Sequence, residues 1–241
     1  METYWQFLDR IDSFEKKELN LGNQYFRGNP SILQKVDLDN MFRDFYGDTV
    51  VFTLDERTKE TLNEYVELLY RSVSECFCER LTPDTFHMTL HDLSNSPSLQ
   101  NVAEELSENK RKIMDKIEEI QKTGKAEIKM KSKYIFNMVD TSLVLGLYPA
   151  GEDAYHRLIE LYSIFDTVKK LNYPFTPHIT LAYYNTNGFD LRAARILENT
   201  VRHLNHNEIE INLDMNHLYY QKFKSMNDYI NIINLGMVNQ C

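Results

Sequence analysis

The chain has 241 residues, of which 42% are hydrophobic and 12% aromatic, and its formal net charge is −9. That length and apolar content exclude a disordered chain and allow one large domain or two fused lobes over a shared core. The acidic balance argues against a long duplex or long RNA as partner, which a basic face would meet, and for a small ligand.

The N-terminus carries charge early and lacks the basic start and apolar core of a signal peptide. No apolar run approaches the ~20 residues of a membrane helix, so a cytoplasmic protein without a membrane partner is expected. Cysteines number three, and Cys76 and Cys78 stand too close together for an easy bridge, which reads as free thiols. Cys76-Phe77-Cys78 has no further ligands nearby to make a zinc site. Neither a metal nor a cofactor is expected.

Residues 1–48 read as a helical N-terminal extension, with amphipathic pieces at 5–20 and 37–46 separated by Gly22, Gly28 and Pro30. The β-branched and aromatic run 49–54 predicts the first strand. Leu62, Val66, Leu69 and Val73 are spaced as on one face of a helix over 57–78. A strand over 85–93 follows, then a turn at Ser94-Asn95-Ser96-Pro97 and a helix over 99–122 with Val102, Leu106, Ile113, Ile117 and Ile120 inside. Strands at 126–139 and 142–147 meet at a hairpin turn, Asp140-Thr141. Then come a helix at 151–170, a strand ending near 184, a helix at 191–204, strands at 208–213 and 218–223, and a tail over 225–241. The order reads as two similar halves, roughly 49–139 and 140–224, whose strands are free to interleave. The expected fold is α+β, two-lobed and duplicated, with antiparallel-rich sheets facing a central cleft and helices outside.

Each half carries one motif. Phe86-His87-Met88-Thr89-Leu90 and Pro177-His178-Ile179-Thr180-Leu181-Ala182 both read His, apolar, Thr, Leu, ninety-one residues apart. Alternation of period two puts His87 with Thr89, and His178 with Thr180, on one face of a strand. Two imidazoles near neutrality can divide acid and base roles, and two hydroxyls can donate to the oxygens of a phosphate.

The paired motifs, their separation and the repeated lobes resemble the two-histidine (2H) phosphoesterase superfamily, which includes the LigT-like RNA 2′,3′-cyclic phosphodiesterases, also called 2′-5′ RNA ligases. The match is tightest over Pro174-Phe175-Thr176-Pro177-His178-Ile179-Thr180-Leu181-Ala182. The resemblance covers about residues 49–224. It implies His87 and His178 as the catalytic pair, Thr89 and Thr180 as phosphate-binding hydroxyls, and a metal-independent phosphodiesterase. Its substrate would be a nucleotide or an RNA end bearing a 2′,3′-cyclic phosphate or a 2′-5′ linkage. Two departures, Tyr183 where a basic residue often follows the second motif and His91-Asp92 after the first, point to a divergent branch. Alternatives are a hydrolase of another small cyclic phosphate, such as that of ADP-ribose, and a non-catalytic nucleotide- or RNA-binding module.

His91, Tyr134 and Tyr183 are further candidates for lining the cleft, His91 because it shares strand parity with His87. His87 and His91 would lie about 13 Å apart at about 3.3 Å per residue, which does not suit a zinc pair. Lys129, Lys131 and Lys133 alternate along one strand and read as the shield of an exposed sheet edge. His156, His203, His206 and His217 have no motif around them and read as surface or capping residues.

Overall fold

The computed structural model describes residues 2–14, 19, 21–22, 25–124 and 126–236. In chain order these form α1 (Tyr4–Asp12), β1 (Tyr25–Phe26), β2 (Tyr46–Thr53), α2 (Glu56–Val73), β3 (His87–Ser96), α3 (Leu99–Asp115) and α4 (Ile117–Lys122). They continue with β4 (Ile128–Met138), β5 (Ser142–Pro149), α5 (Glu152–Asp166), β6 (His178–Tyr183), β7 (Phe189–Asp190) and α6 (Leu191–Leu204). The last three are β8 (Glu210–Leu213), β9 (Leu218–Ser225) and β10 (Asp228–Asn234).

Two four-stranded antiparallel sheets, ordered β10-β9-β2-β3 and β6-β5-β4-β8, make the two lobes. Each motif strand, β3 and β6, is the edge of its sheet and follows its neighbour in sequence through one helix. The expected α+β duplication is thus present, and the halves interleave. β4 joins the second sheet, while β9 and β10 return from the chain end to complete the first.

The helices obey their apolar spacing. Asp55 caps α2 by accepting from the Thr58 N–H (2.8 Å), and Leu62, Val66, Leu69 and Val73 are buried. α6 has Asp190 as its cap and buries Ala193, Ala194, Leu197 and Val201. The two helices pack on each other across the lobes, and one contiguous apolar core runs through both sheets. Cys76 and Cys78 are free and buried within it, and burial pushes both thiols up, Cys78 to about 12.

Several boundaries differ from the sequence reading. Residues 37–46 are not a helix: the Asp37 carboxylate accepts from the Asp39 and Met41 N–H groups, and the chain turns through Asn40 at φ 62°. A 3-10 helix, Pro30–Gln34, precedes them. The helix expected over 5–20 is described only as α1, and residues 15–18 and 20 lie outside the described residues. Ser94–Ser96 belong to β3 rather than a turn, because Tyr46 and Gly47 extend the pairing of β2. The helix over 99–122 breaks at Lys116, though the apolar spacing runs straight across the break. β4 is an inner strand, so its lysines shield no edge; Lys131 and Lys133 pair instead with Glu208 (2.9 Å) and Asp12 (2.8 Å). The tail expected from 225 onward contains β10, and its residues 237–241, with Cys241, lie outside the described residues.

A buried carboxylate ties α3 to the first sheet. Asp48, 2% exposed, accepts from the Ser94 N–H (2.9 Å), the Asn109 amide (3.2 Å) and the Tyr220 hydroxyl (2.8 Å). Burial raises its carboxyl above the usual range in spite of these donors. Tyr220→Phe should therefore lower the unfolding free energy by about 1–3 kcal/mol in urea titrations; an unchanged midpoint and slope would mean that the hydroxyl is not part of this anchor.

Candidate active site

β3 and β6 lie against each other at the meeting of the two sheets, and His87, Thr89, His178 and Thr180 all line one cleft of about 620 Å³. A larger cavity, about 700 Å³, lies between α1, α4 and α5 beside His156 and contains none of these four residues. The four motif residues thus share the smaller one.

The two motif strands are matched beyond their side chains. His87 pairs across β2 with Thr53, and His178 pairs across β5 with Gly146. Each strand then carries one unpaired residue, Leu90 between Thr89 and His91, and Leu181 between Thr180 and Ala182. Such a bulge shifts the alternation by one residue and re-aims whatever follows. His91 therefore turns inward, contrary to its expected parity with His87, yet it still borders the cleft as expected, and Asp92 takes the outward position. His91 is 1% exposed; its Nδ1–H donates to the Asp92 carbonyl (2.6 Å) and its ring rests 4.9 Å from that of Tyr162 on α5. Its Nε2 has no hydrogen-bond partner among the described residues, and a carboxylate oxygen of Asp166 lies 3.7 Å away. In the second copy the outward position falls to Tyr183, which lines the cleft as expected. Tyr134 does not line it: it sits on β4, two strands from β6, beneath the Lys133 ammonium.

A third matched pair is Thr85 and Thr176, each two residues before its histidine. The Nδ1 of His87 lies 2.6 Å from the Thr85 carbonyl and the Nδ1 of His178 lies 2.7 Å from the Thr176 carbonyl. A carbonyl oxygen has no proton to give, so Nδ1 carries the proton in both rings and Nε2 is the free nitrogen. The sequence held the signal, since both copies read Thr-x-His-x-Thr-Leu.

Burial is the main influence on both imidazoles and lowers both. His87 is brought down to about 4, with the neighbouring His178 adding to the effect and the Thr85 carbonyl and Asp92 opposing it. His178 is lowered in the same way, with Lys35 adding to the effect and the Thr176 carbonyl and Asp92 opposing it. Both shifts favour the neutral ring at pH 7.

Part of the wall comes from the expected extension and tail, where no local pattern pointed to it. Lys35 and Phe45 come from the extension, and Met226 and Tyr229 from beyond residue 224. The Tyr229 ring lies 5.0 Å from that of His87, and the Tyr183 hydroxyl contacts the Met226 sulfur at 3.1 Å. The Tyr173 hydroxyl donates to Asp92 at 2.9 Å. Among the described residues, no three His, Cys, Asp or Glu side chains gather as a metal site, and no helix is long and apolar enough to cross a membrane.

No protein-family model and no curated protein matches the chain. Solved structures do. ATU0111, a conserved protein of unknown function from Agrobacterium tumefaciens strain C58, matches with a TM-score of 0.61 at 14% identity, over 91% of this chain and 99% of that one. E. coli LigT complexed with 3′-AMP gives 0.48 at 13% identity, over 79% and 97%. TT0787 of Thermus thermophilus gives 0.46 at 13% identity, over 77% and 94%. At such identity the likeness is one of fold, and the two-lobed architecture is shared with ATU0111 along nearly its whole length.

The depressed His87 makes stability depend on pH. The unfolded chain takes up this proton near 6.5 and the folded chain near 4, so the contribution is whole above about 6.5 and is lost as pH falls toward 4. Between pH 7 and 5 the urea midpoint should fall less in His87→Gln than in the unaltered protein. Equal falls would place His87 in a solvated environment instead.

Proposed function

We propose that this protein is a phosphodiesterase of the two-histidine type, acting on a nucleotide or RNA 2′,3′-cyclic phosphate or on a 2′-5′ linkage. The observation that carries this reading is the paired imidazoles, each with Nδ1 committed to the carbonyl two residues earlier and a threonine two residues later, in one cleft. Binding alone would require neither an acid nor a base, let alone two matched ones.

In the reaction, the Nε2 of one neutral histidine takes a proton from water as the water oxygen attacks phosphorus. The other histidine, protonated, gives its proton to the leaving ribose oxygen as the P–O bond breaks. The hydroxyls of Thr89 and Thr180 donate to the non-bridging oxygens, where negative charge accumulates. A cleft that keeps both rings neutral when empty needs a source for the second proton. The substrate supplies the reason: an anionic phosphate beside the imidazoles favours the protonated form of one of them. The acid is therefore loaded on binding.

The cleft walls suit a nucleoside. Tyr162 and Phe175 stack at 4.7 Å, and Phe45, Phe223 and Tyr229 form a second aromatic group. Aromatic faces accept any base by stacking, which leaves the base itself to be found by assay.

The test is turnover, in EDTA, of the four nucleoside 2′,3′-cyclic phosphates, a 2′-5′ oligoadenylate and ADP-ribose 1″,2″-cyclic phosphate. His87→Ala and His178→Ala should each lower kcat by about a thousandfold or more while leaving ligand affinity within about tenfold. Absence of turnover on the whole panel, with affinity lost in both variants, would make the cleft a binding module.

A further inference from the structure

The cleft is built on a near-symmetric frame, yet the two histidines are supported differently. The turn before His87 holds itself: it is a 3-10 helix, Pro83–Thr85, in which the Thr85 hydroxyl donates to the Thr82 carbonyl (2.7 Å), and the Thr82 N–H donates to the side chain of Asn227 (2.9 Å). Residues 174–177, before His178, form no helix. They are held from outside by Arg10 in the last turn of α1, whose guanidinium donates to the Phe175 carbonyl (2.8 Å) and to the Thr176 hydroxyl (3.2 Å). Two hydrogen bonds to Glu2, both 2.9 Å, fix the guanidinium from its other side. α1 is anchored in turn, with Phe7 fully buried against Tyr155 of α5 at 5.2 Å between rings. Thr176 is the residue whose carbonyl takes the His178 Nδ1 proton, so Arg10 grips the residue that orients the ring.

Lys35 comes from the same N-terminal segment. Among the described residues lining the cleft it is the one lysine or arginine. Its ammonium stands 5.2 Å from the Tyr183 ring centre and 5.4 Å from that of Phe45. Lys131, Lys133 and Lys169 each have a carboxylate within 3.1 Å, whereas no carboxylate among the described residues pairs with Lys35. A cation held by two ring faces inside a cleft, with no carboxylate partner among the described residues, is arranged for an anionic ligand. Its charge also reaches His178 and disfavours protonation there, an opposition that a bound anion would relieve.

We propose that the segment before the first lobe strand is a working part of this site, in which Lys35 binds the phosphate oxygens of the substrate and Arg10 positions His178 through residues 175 and 176. This inference rests on the phosphodiesterase reading and deepens it, giving the substrate's phosphate a cationic contact outside the two motifs.

The experiment uses the full chain and inorganic phosphate as probe, with the imidazole signals of His87 and His178 followed by NMR, alongside kinetics on the best substrate of the panel. Lys35→Met should weaken phosphate binding about tenfold or more and raise the midpoint of His178, while Lys35→Arg keeps affinity within about threefold. Arg10→Ala should lower kcat about tenfold or more with KM within about threefold, and move the His178 signals but not those of His87. Arg10→Lys, which lacks the planar fork, should show the same selectivity in weaker form and covers loss of α1 in the alanine variant. Unchanged phosphate affinity in Lys35→Met would overturn the role of Lys35. Equal movement of both histidines, or none, in both Arg10 variants would overturn that of Arg10. If nothing on the panel is turned over, the enzyme reading falls, and the phosphate and imidazole titrations still decide this inference.

Discussion

An imidazole serves as a base or an acid only through the nitrogen that faces the reacting atoms, and the partner of the other nitrogen decides which one that is. Here the deciding partners are the carbonyls of Thr85 and Thr176. Each belongs to the backbone just before a motif strand, so the orientation of each ring is set by the path by which the chain reaches that strand. Much of the remaining architecture follows from this requirement. β3 and β6 must be edge strands so that their first residues face each other, and the bulges at Leu90 and Leu181 then turn the following residues out of register with the histidines.

The interleaving of the lobes ties the two sheets together. With β9 beside β2 and β4 beside β5, neither sheet is complete without strands from the other half of the chain. α2 and α6 pack across the junction. The short β1–β7 ladder and the bond from the Phe45 N–H to the Lys224 carbonyl (2.8 Å) tie the N-terminal segment to residues 189–190 and to β9.

The motifs, the strand and helix order and the duplication were legible because they are periodic and local. His87, Thr89, His178 and Thr180 reach one cleft as their alternation implies. His91 borders the cleft, but its inward turn is not legible, because a bulge leaves no trace in an apolar-polar pattern: the unpaired Leu90 looks like any buried strand residue. Residues 37–46 looked helical from their apolar spacing, but the side chain of Asp37 satisfies the local N–H groups and turns the chain. The contributions of Lys35, Met226 and Tyr229 depend on tertiary pairing between the two chain ends and the lobes, which no local pattern encodes. Thr85 and Thr176 stood in plain view as a third matched position, and their role emerges only once their carbonyls are seen beneath the rings.

The central claim is that the two imidazoles are a matched pair, each protonated on Nδ1 and presenting Nε2 to the cleft. Nitrogen-resolved NMR of the histidine rings tests it directly, since the two tautomers and the cation give distinct patterns. The Nδ1–H tautomer is expected for both His87 and His178 at pH 7, with His87 still neutral at pH 5. One ring should become protonated when phosphate is added at pH 7. Rings that titrate near the ordinary 6.5, carry the proton on Nε2, or ignore phosphate would contradict it.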